Sequence, residues 1–106
     1  YSLRVSAGGR LLVYTGDCGP CEGLDKAALG ADLLLAEAAF CDGDENPEDL
    51  HLTGVEVAQL AQRAGAARLV LTHIPPWHDK QIAFDEARTI WDGPLDMART
   101  GATYDV

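Results

Sequence analysis

A chain of 106 residues makes one small domain or part of a larger one, and an initial Tyr1 with a single methionine at Met97 is expected of part of a longer chain. Its 17 acidic and 8 basic residues give a formal charge of −9, which repels phosphate backbones and argues against a broad nucleic-acid-binding face on this segment. No apolar run is long enough for a bilayer and no basic-then-apolar leader opens the chain; with three cysteines, an odd number unsuited to a secreted disulfide scaffold, a cytoplasmic protein with no membrane contact is expected.

Residues 3–6 and 10–15 read as a hairpin, with Ala7-Gly8-Gly9 supplying the turn because glycine tolerates positive φ. The second strand carries Leu11-Leu12-Val13-Tyr14, apolar on both faces, and reads as a buried central strand. A loop at 16–20 precedes a short helix at 22–29, ended by Gly30, and residues 32–36 read as another buried strand. The irregular stretch 39–52 is long for a compact domain, and loops of that length commonly carry function. Its acidic run at 42–49 lacks the spacing of an EF-hand and reads as a mobile rim.

Thr53 and Glu56 make a capping box at the start of the clearest helix, which places Val57, Leu60, Ala61 and Ala64 on one face and ends at Gly65. Residues 68–72 predict a strand with His73 at its carboxyl end, and Pro75-Pro76 stops any continuation. A second amphipathic helix is expected over 80–91, then a turn at Asp92-Gly93 and a closing pair of strands at 94–99 and 102–106. The resulting order, ββαβαβαββ, predicts an α/β layer architecture.

Three segments put metal-capable or polar residues just beyond apolar strands or at a helix start: Thr15-Gly16-Asp17, His51-Leu52-Thr53 and Leu71-Thr72-His73. Ligands gather beyond the carboxyl ends of strands in α/β folds, and carboxylate with imidazole suits zinc, iron or manganese. Trp77 could stack on a nucleobase, and His78 beside it could reach a substrate. Two other constellations compete. Cys18-Gly19-Pro20-Cys21 has the sequence of a dithiol redox site between a strand and a helix, and Cys18, Cys21 and Cys41 with a histidine could hold a structural zinc.

The run Tyr14-Thr15-Gly16-Asp17, then Asp32-Leu33-Leu34-Leu35-Ala36-Glu37-Ala38-Ala39-Phe40, then His51-Leu52-Thr53, then Leu69-Val70-Leu71-Thr72-His73 resembles the C-terminal half of ribonuclease Z-like hydrolases of the metallo-β-lactamase fold. The Asp49-Leu50-His51-Leu52 and Leu71-Thr72-His73-Ile74-Pro75-Pro76-Trp77 segments resemble members described as cyclic-nucleotide phosphodiesterases.

The resemblance implies half of an αβ/βα sandwich, a mixed sheet with helices on one face, and two divalent metal ions, zinc foremost with manganese or iron as alternatives. It implies that Asp17 bridges the metals, that His73 is a terminal ligand, that His51 assists the leaving group and that Glu37 orients His51. Cys18 and Ala36 depart from the threonine and histidine usual in ribonuclease Z, and Pro75-Pro76-Trp77 replaces a more polar, arginine-containing segment. With the acidic charge, these departures favour a small phosphodiester such as a cyclic nucleotide over RNA. The family's remaining ligands belong to its first half. The chain alone is therefore expected to be inactive, and to pair with that half or with a second copy.

Overall fold

The structure, a computed structural model, describes residues 1–43, 45–46 and 50–106. Half of the acidic run at 42–49, and with it the reading of that run as a rim, lies outside the described residues.

β1 (Leu3–Ala7) and β2 (Arg10–Tyr14) pair antiparallel with Ala7 opposite Arg10. The connection is a two-residue turn with both residues left-handed, Gly8 at φ 58° and Gly9 at φ 75°, the geometry that follows the twist of the flanking strands. β3 (Leu33–Glu37), β4 (Leu69–Thr72) and β5 (Leu95–Met97) then add in chain order, each parallel to its predecessor, so the sheet runs β1-β2-β3-β4-β5. The crossovers are α1 (Glu22–Ala28), α2 (Gly54–Ala64) and α3 (Lys80–Arg88).

The helices share one face of the sheet. Val13, Leu34, Ala36, Leu69, Leu71 and Leu95 project from the strands into a single core with Leu24 and Ala28 of α1, Val57, Leu60 and Ala61 of α2, and Ala83 and Ala87 of α3. Burial of one such leucine contributes about 2 kcal/mol. α2 keeps both halves of its capping box: the Thr53 hydroxyl accepts from Glu56 N at 3.1 Å, and the Glu56 carboxylate accepts from Thr53 N at 3.0 Å. Gly65 closes it in the left-handed region at φ 65°. Gly54 stands where the first turn of α2 abuts α3, since a Cβ there would lie 2.5 Å from the Ala83 carbonyl oxygen.

Two expectations about the strands require correction. β2 is not fully buried: Leu11, Leu12 and Tyr14 are half-buried and Arg10 is exposed, because only β1 separates this strand from the sheet edge. Nor do residues 102–106 form a strand. The chain turns at 99–102, where Ala102 N donates to Arg99 O, and the Tyr104 hydroxyl donates to the Met97 carbonyl. Val106 ends beside Val5, Ala7, Arg10 and Leu12, around a hollow of about 250 Å³ at the opposite edge of the sheet. The tail thus leaves β5 for the face without helices and cannot enter the ladder. On that face Leu3 and Val5 are more than half exposed.

The four consecutive parallel strands fix the place of the chemistry. β2, β3, β4 and β5 all end at one side, so the segments that follow them meet there.

Candidate functional site

Thr15, fully buried just after β2, ties the first two strand ends together. Its N–H donates to Leu35 O at 3.0 Å, and its hydroxyl accepts from Glu37 N at 3.1 Å while donating to Gly16 O at 2.9 Å. Gly16 then takes φ 66°, in a space where a Cβ would collide with the Tyr1 carbonyl. This turn delivers Asp17.

Glu37, the last residue of β3, has no exposed surface. A buried carboxylate is costly unless its oxygens are met by donors. Here Oε1 accepts from Leu52 N at 3.0 Å, His51 Nδ1 at 3.2 Å and Cys18 N at 3.3 Å, and Oε2 accepts from Ala39 N at 3.1 Å. Burial still raises its pKa above the ordinary carboxylate value, against the lowering by the Ala39 and Leu52 amides and by His51. Glu37 thereby pins three loops: the one after β2, its own exit from β3, and the approach to α2. Its capacity as an acceptor is nearly filled.

His51 rests with Nδ1 on that carboxylate and its ring edge-on to Phe40, with centroids 5.0 Å apart. Only 20% of its side chain is exposed. A carboxylate on Nδ1 fixes the tautomer and leaves Nε2 as the nitrogen available for proton transfer.

His73 follows β4 with its backbone at φ 53°, the one non-glycine residue with positive φ among those described. Histidine tolerates this region better than most side chains, and strain of this kind gathers at functional sites. Its Nδ1 lies 2.9 Å from Asp17 Oδ1, and its ring centroid lies 5.6 Å from that of His51. Asp17 and His73 are far more open than Glu37, with 57% and 46% of their side chains exposed.

The structure therefore brings Asp17, Glu37, His51 and His73 to one place. Glu37, His51 and His73 each offer a ligand atom within 4.8 Å of the others, a grouping able to hold a metal ion. The donor set fits a borderline metal in type. Glu37, already committed to three backbone amides, is better suited to holding His51, which leaves the exposed pair Asp17 and His73 as the freer ligands.

Trp77 and His78 stand on the loop after His73. Trp77 is exposed, and His78 Nδ1 lies 3.4 Å from Cys41 Sγ, tying this loop to the start of the 41–52 segment. The Cys41–His78 contact and the Phe40 edge on His51 carry no sequence signal, since both join residues remote in the chain. The three cysteines do not gather into one metal-ligand group among the described residues. Cys18 Sγ is 3.3 Å from Thr15 O, Cys41 meets His78, and exposed Cys21 stands at the N-cap position of α1 with no side-chain bond to the helix. Burial, then the neighbouring Cys21 and Glu37, push the Cys18 thiol up, the opposite of what a redox nucleophile needs.

A family model described as "Beta-lactamase superfamily domain" matches residues 1–74. Over its whole length the chain is 40% identical to "Uncharacterized protein ML1173" of Mycobacterium leprae, covering 38% of that protein. It is 42% identical to a ribonuclease Z of Myxococcus xanthus, over 92% of the chain and 33% of the relative. The crystal structure of the metallo-β-lactamase-fold protein YhfI from Bacillus subtilis superposes on 96% of the chain with a TM-score of 0.88 at 29% identity, covering 42% of that structure. The chain thus spans well under half the length of the relatives it matches.

Proposed function

The chain belongs to the beta-lactamase superfamily as a partial domain of metallo-β-lactamase fold, and on that premise we propose that its full-length protein is a metal-dependent phosphodiesterase whose site this segment supplies in part. The observation that carries the reading is the meeting of Asp17, Glu37, His51 and His73 beyond three parallel strands, with His51 fixed by a buried carboxylate.

Asp17 and His73 would hold a pair of divalent ions, zinc foremost with manganese or iron as alternatives, and the rest of the full-length chain would supply the other ligands. When bound, such ions lower the pKa of water and neutralise charge developing on a phosphoryl group. The remaining work belongs to side chains. Glu37 keeps the proton of His51 on Nδ1 and stabilises the cationic ring. His51 Nε2, when protonated, delivers a proton to the leaving oxygen. Trp77 and His78 form the rim that contacts substrate.

The likeness to a ribonuclease Z supports a phosphodiester as the bond broken. The charge of −9 favours a small diester, such as a cyclic nucleotide, over RNA. The protein is proposed to be cytoplasmic. The sheet face bearing exposed Leu3 and Val5 is proposed to be covered by the rest of the full-length chain or by a second copy, and the 106-residue segment alone to be inactive.

Metal content and hydrolysis of a cyclic nucleotide, measured together on the full-length protein, test the reading. Asp17→Ala and His73→Ala should each lower metal per chain and abolish turnover. Wild-type metal content with unchanged turnover in Asp17→Ala overturns the assignment.

A further inference from the structure

Beside His73, at the carboxyl ends of β4 and β5, lies a cavity of about 180 Å³, lined by Thr72, His73, Ile74, Lys80, Met97 and Ala98. That volume takes more than a single water. The hydrolytic reading gives the cavity no role.

The charges of the molecule single it out. Arg10, Lys26, Arg63 and Arg68 are ion-paired, and Arg4 and Arg88 donate to backbone carbonyls. Among the described residues, that leaves Lys80 and Arg99 as the basic side chains with neither an ion pair nor a hydrogen bond. Lys80 lines the cavity, and Arg99 follows the lining residue Ala98 in the chain. Asp79, next to Lys80, accepts from Gln81 N at 2.9 Å as the cap of α3 and is engaged there. In a chain with net charge −9, both basic side chains that are unpaired among the described residues thus belong to segments at the sheet end that carries the candidate site. A protein with this charge repels anions at a distance, so a local reserve of unpaired positive charge is what would let it receive one.

We propose that this cavity is a phosphate subsite, in which Lys80, assisted by Arg99, receives a second phosphate group of the substrate while the scissile diester lies at His51 and His73. The substrate class is then a phosphodiester that also carries a phosphate monoester. The identity of the substrate rests on the hydrolytic reading above; the anion subsite rests on the cavity and its cations.

The full-length protein is assayed on thymidylyl-thymidine with and without a 5′-terminal phosphate. Lys80→Ala should lower the preference for the phosphorylated diester, as the ratio of kcat/KM values, by about tenfold, the loss expected for a hydrogen bond to a charged group. The loss should lie mainly in KM and shrink with salt. Arg99→Ala should act in the same direction more weakly, and Lys80→Arg should restore the preference. Equal losses on both diesters, or no change in the ratio, overturn the proposal. If the wild type cleaves neither diester, the hydrolytic reading is decided by the cyclic-nucleotide assay above, and calorimetric titration with inorganic pyrophosphate decides the subsite. Binding weakened by Lys80→Ala upholds it, whereas equal binding by both proteins, or none by the wild type, overturns it.

Discussion

Leu34 and Glu37 stand three residues apart on β3, both without exposed surface, and they are buried on different terms. Leu34 enters a core of aliphatic side chains beneath the helices, where removal from water is favourable and no partner geometry is demanded. Glu37 sits where the strand ends, and its burial is tolerated because the amides of Cys18, Ala39 and Leu52 and the imidazole of His51 meet its oxygens. One region is held by volume and the other by directed bonds. A loss under the helices should therefore be spread over neighbours, while a loss at the strand ends should unfasten several loops at once.

Three measurements on the full-length protein sharpen this contrast. Glu37→Ala should cost the most, about 4 kcal/mol in denaturant unfolding, because it strands two buried N–H groups and a part-buried one together. It should also free His51 and abolish turnover. A loss below about 1 kcal/mol would mean that water replaces the carboxylate without penalty. Leu34→Ala should cost about 3 kcal/mol through the cavity it leaves, and the protein that remains folded should keep its turnover. A loss of catalysis in the folded fraction would show that the two regions are not separable.

The smallest effect concerns Cys18. Its pKa is raised chiefly by burial, so the protonated thiol is the form the fold favours. The sign follows: the stability contributed by Cys18 is present below the ordinary thiol range and is lost as pH rises through the raised value. Alkylation of Cys18 should therefore lag behind that of a free cysteine peptide at pH 8 and reach its midpoint at higher pH. An early, low-pH midpoint would revive the redox reading of Cys18 and Cys21.

Much of the fold was legible because its signals are local. Gly8-Gly9 determines a tight hairpin turn, Thr53 with Glu56 a helix start, and Gly65 a helix stop, each through bonds or φ values confined to a few residues. Helix α3 ended at Arg88, before the expected 91. Thr89 N donates to Asp85 O, but Ile90 and Trp91 fold back on Ala87 O, and the Trp91 indole donates to Pro94 O. The error at 102–106 was of another kind. Alternating apolar residues propose a strand, but a strand needs a free ladder edge, and the chain had turned away from it.

The candidate site divides in the same way. Asp17, Glu37, His51 and His73 were readable as residues that end strands or open helices, aided by the likeness of their motifs to a known family. Their sequence positions determined that each would lie at an element boundary, since strand periodicity and capping are short-range. Only the tertiary structure decided that β2 through β5 run parallel and so bring those boundaries together. It alone turned His73 into the left-handed region beside Asp17, filled the oxygens of Glu37 with amides from three loops, and left Lys80 unpaired at a cavity. Such pairings join residues up to dozens of positions apart, and their energies arise only once the sheet holds them within hydrogen-bond distance; no local pattern in the chain encodes them.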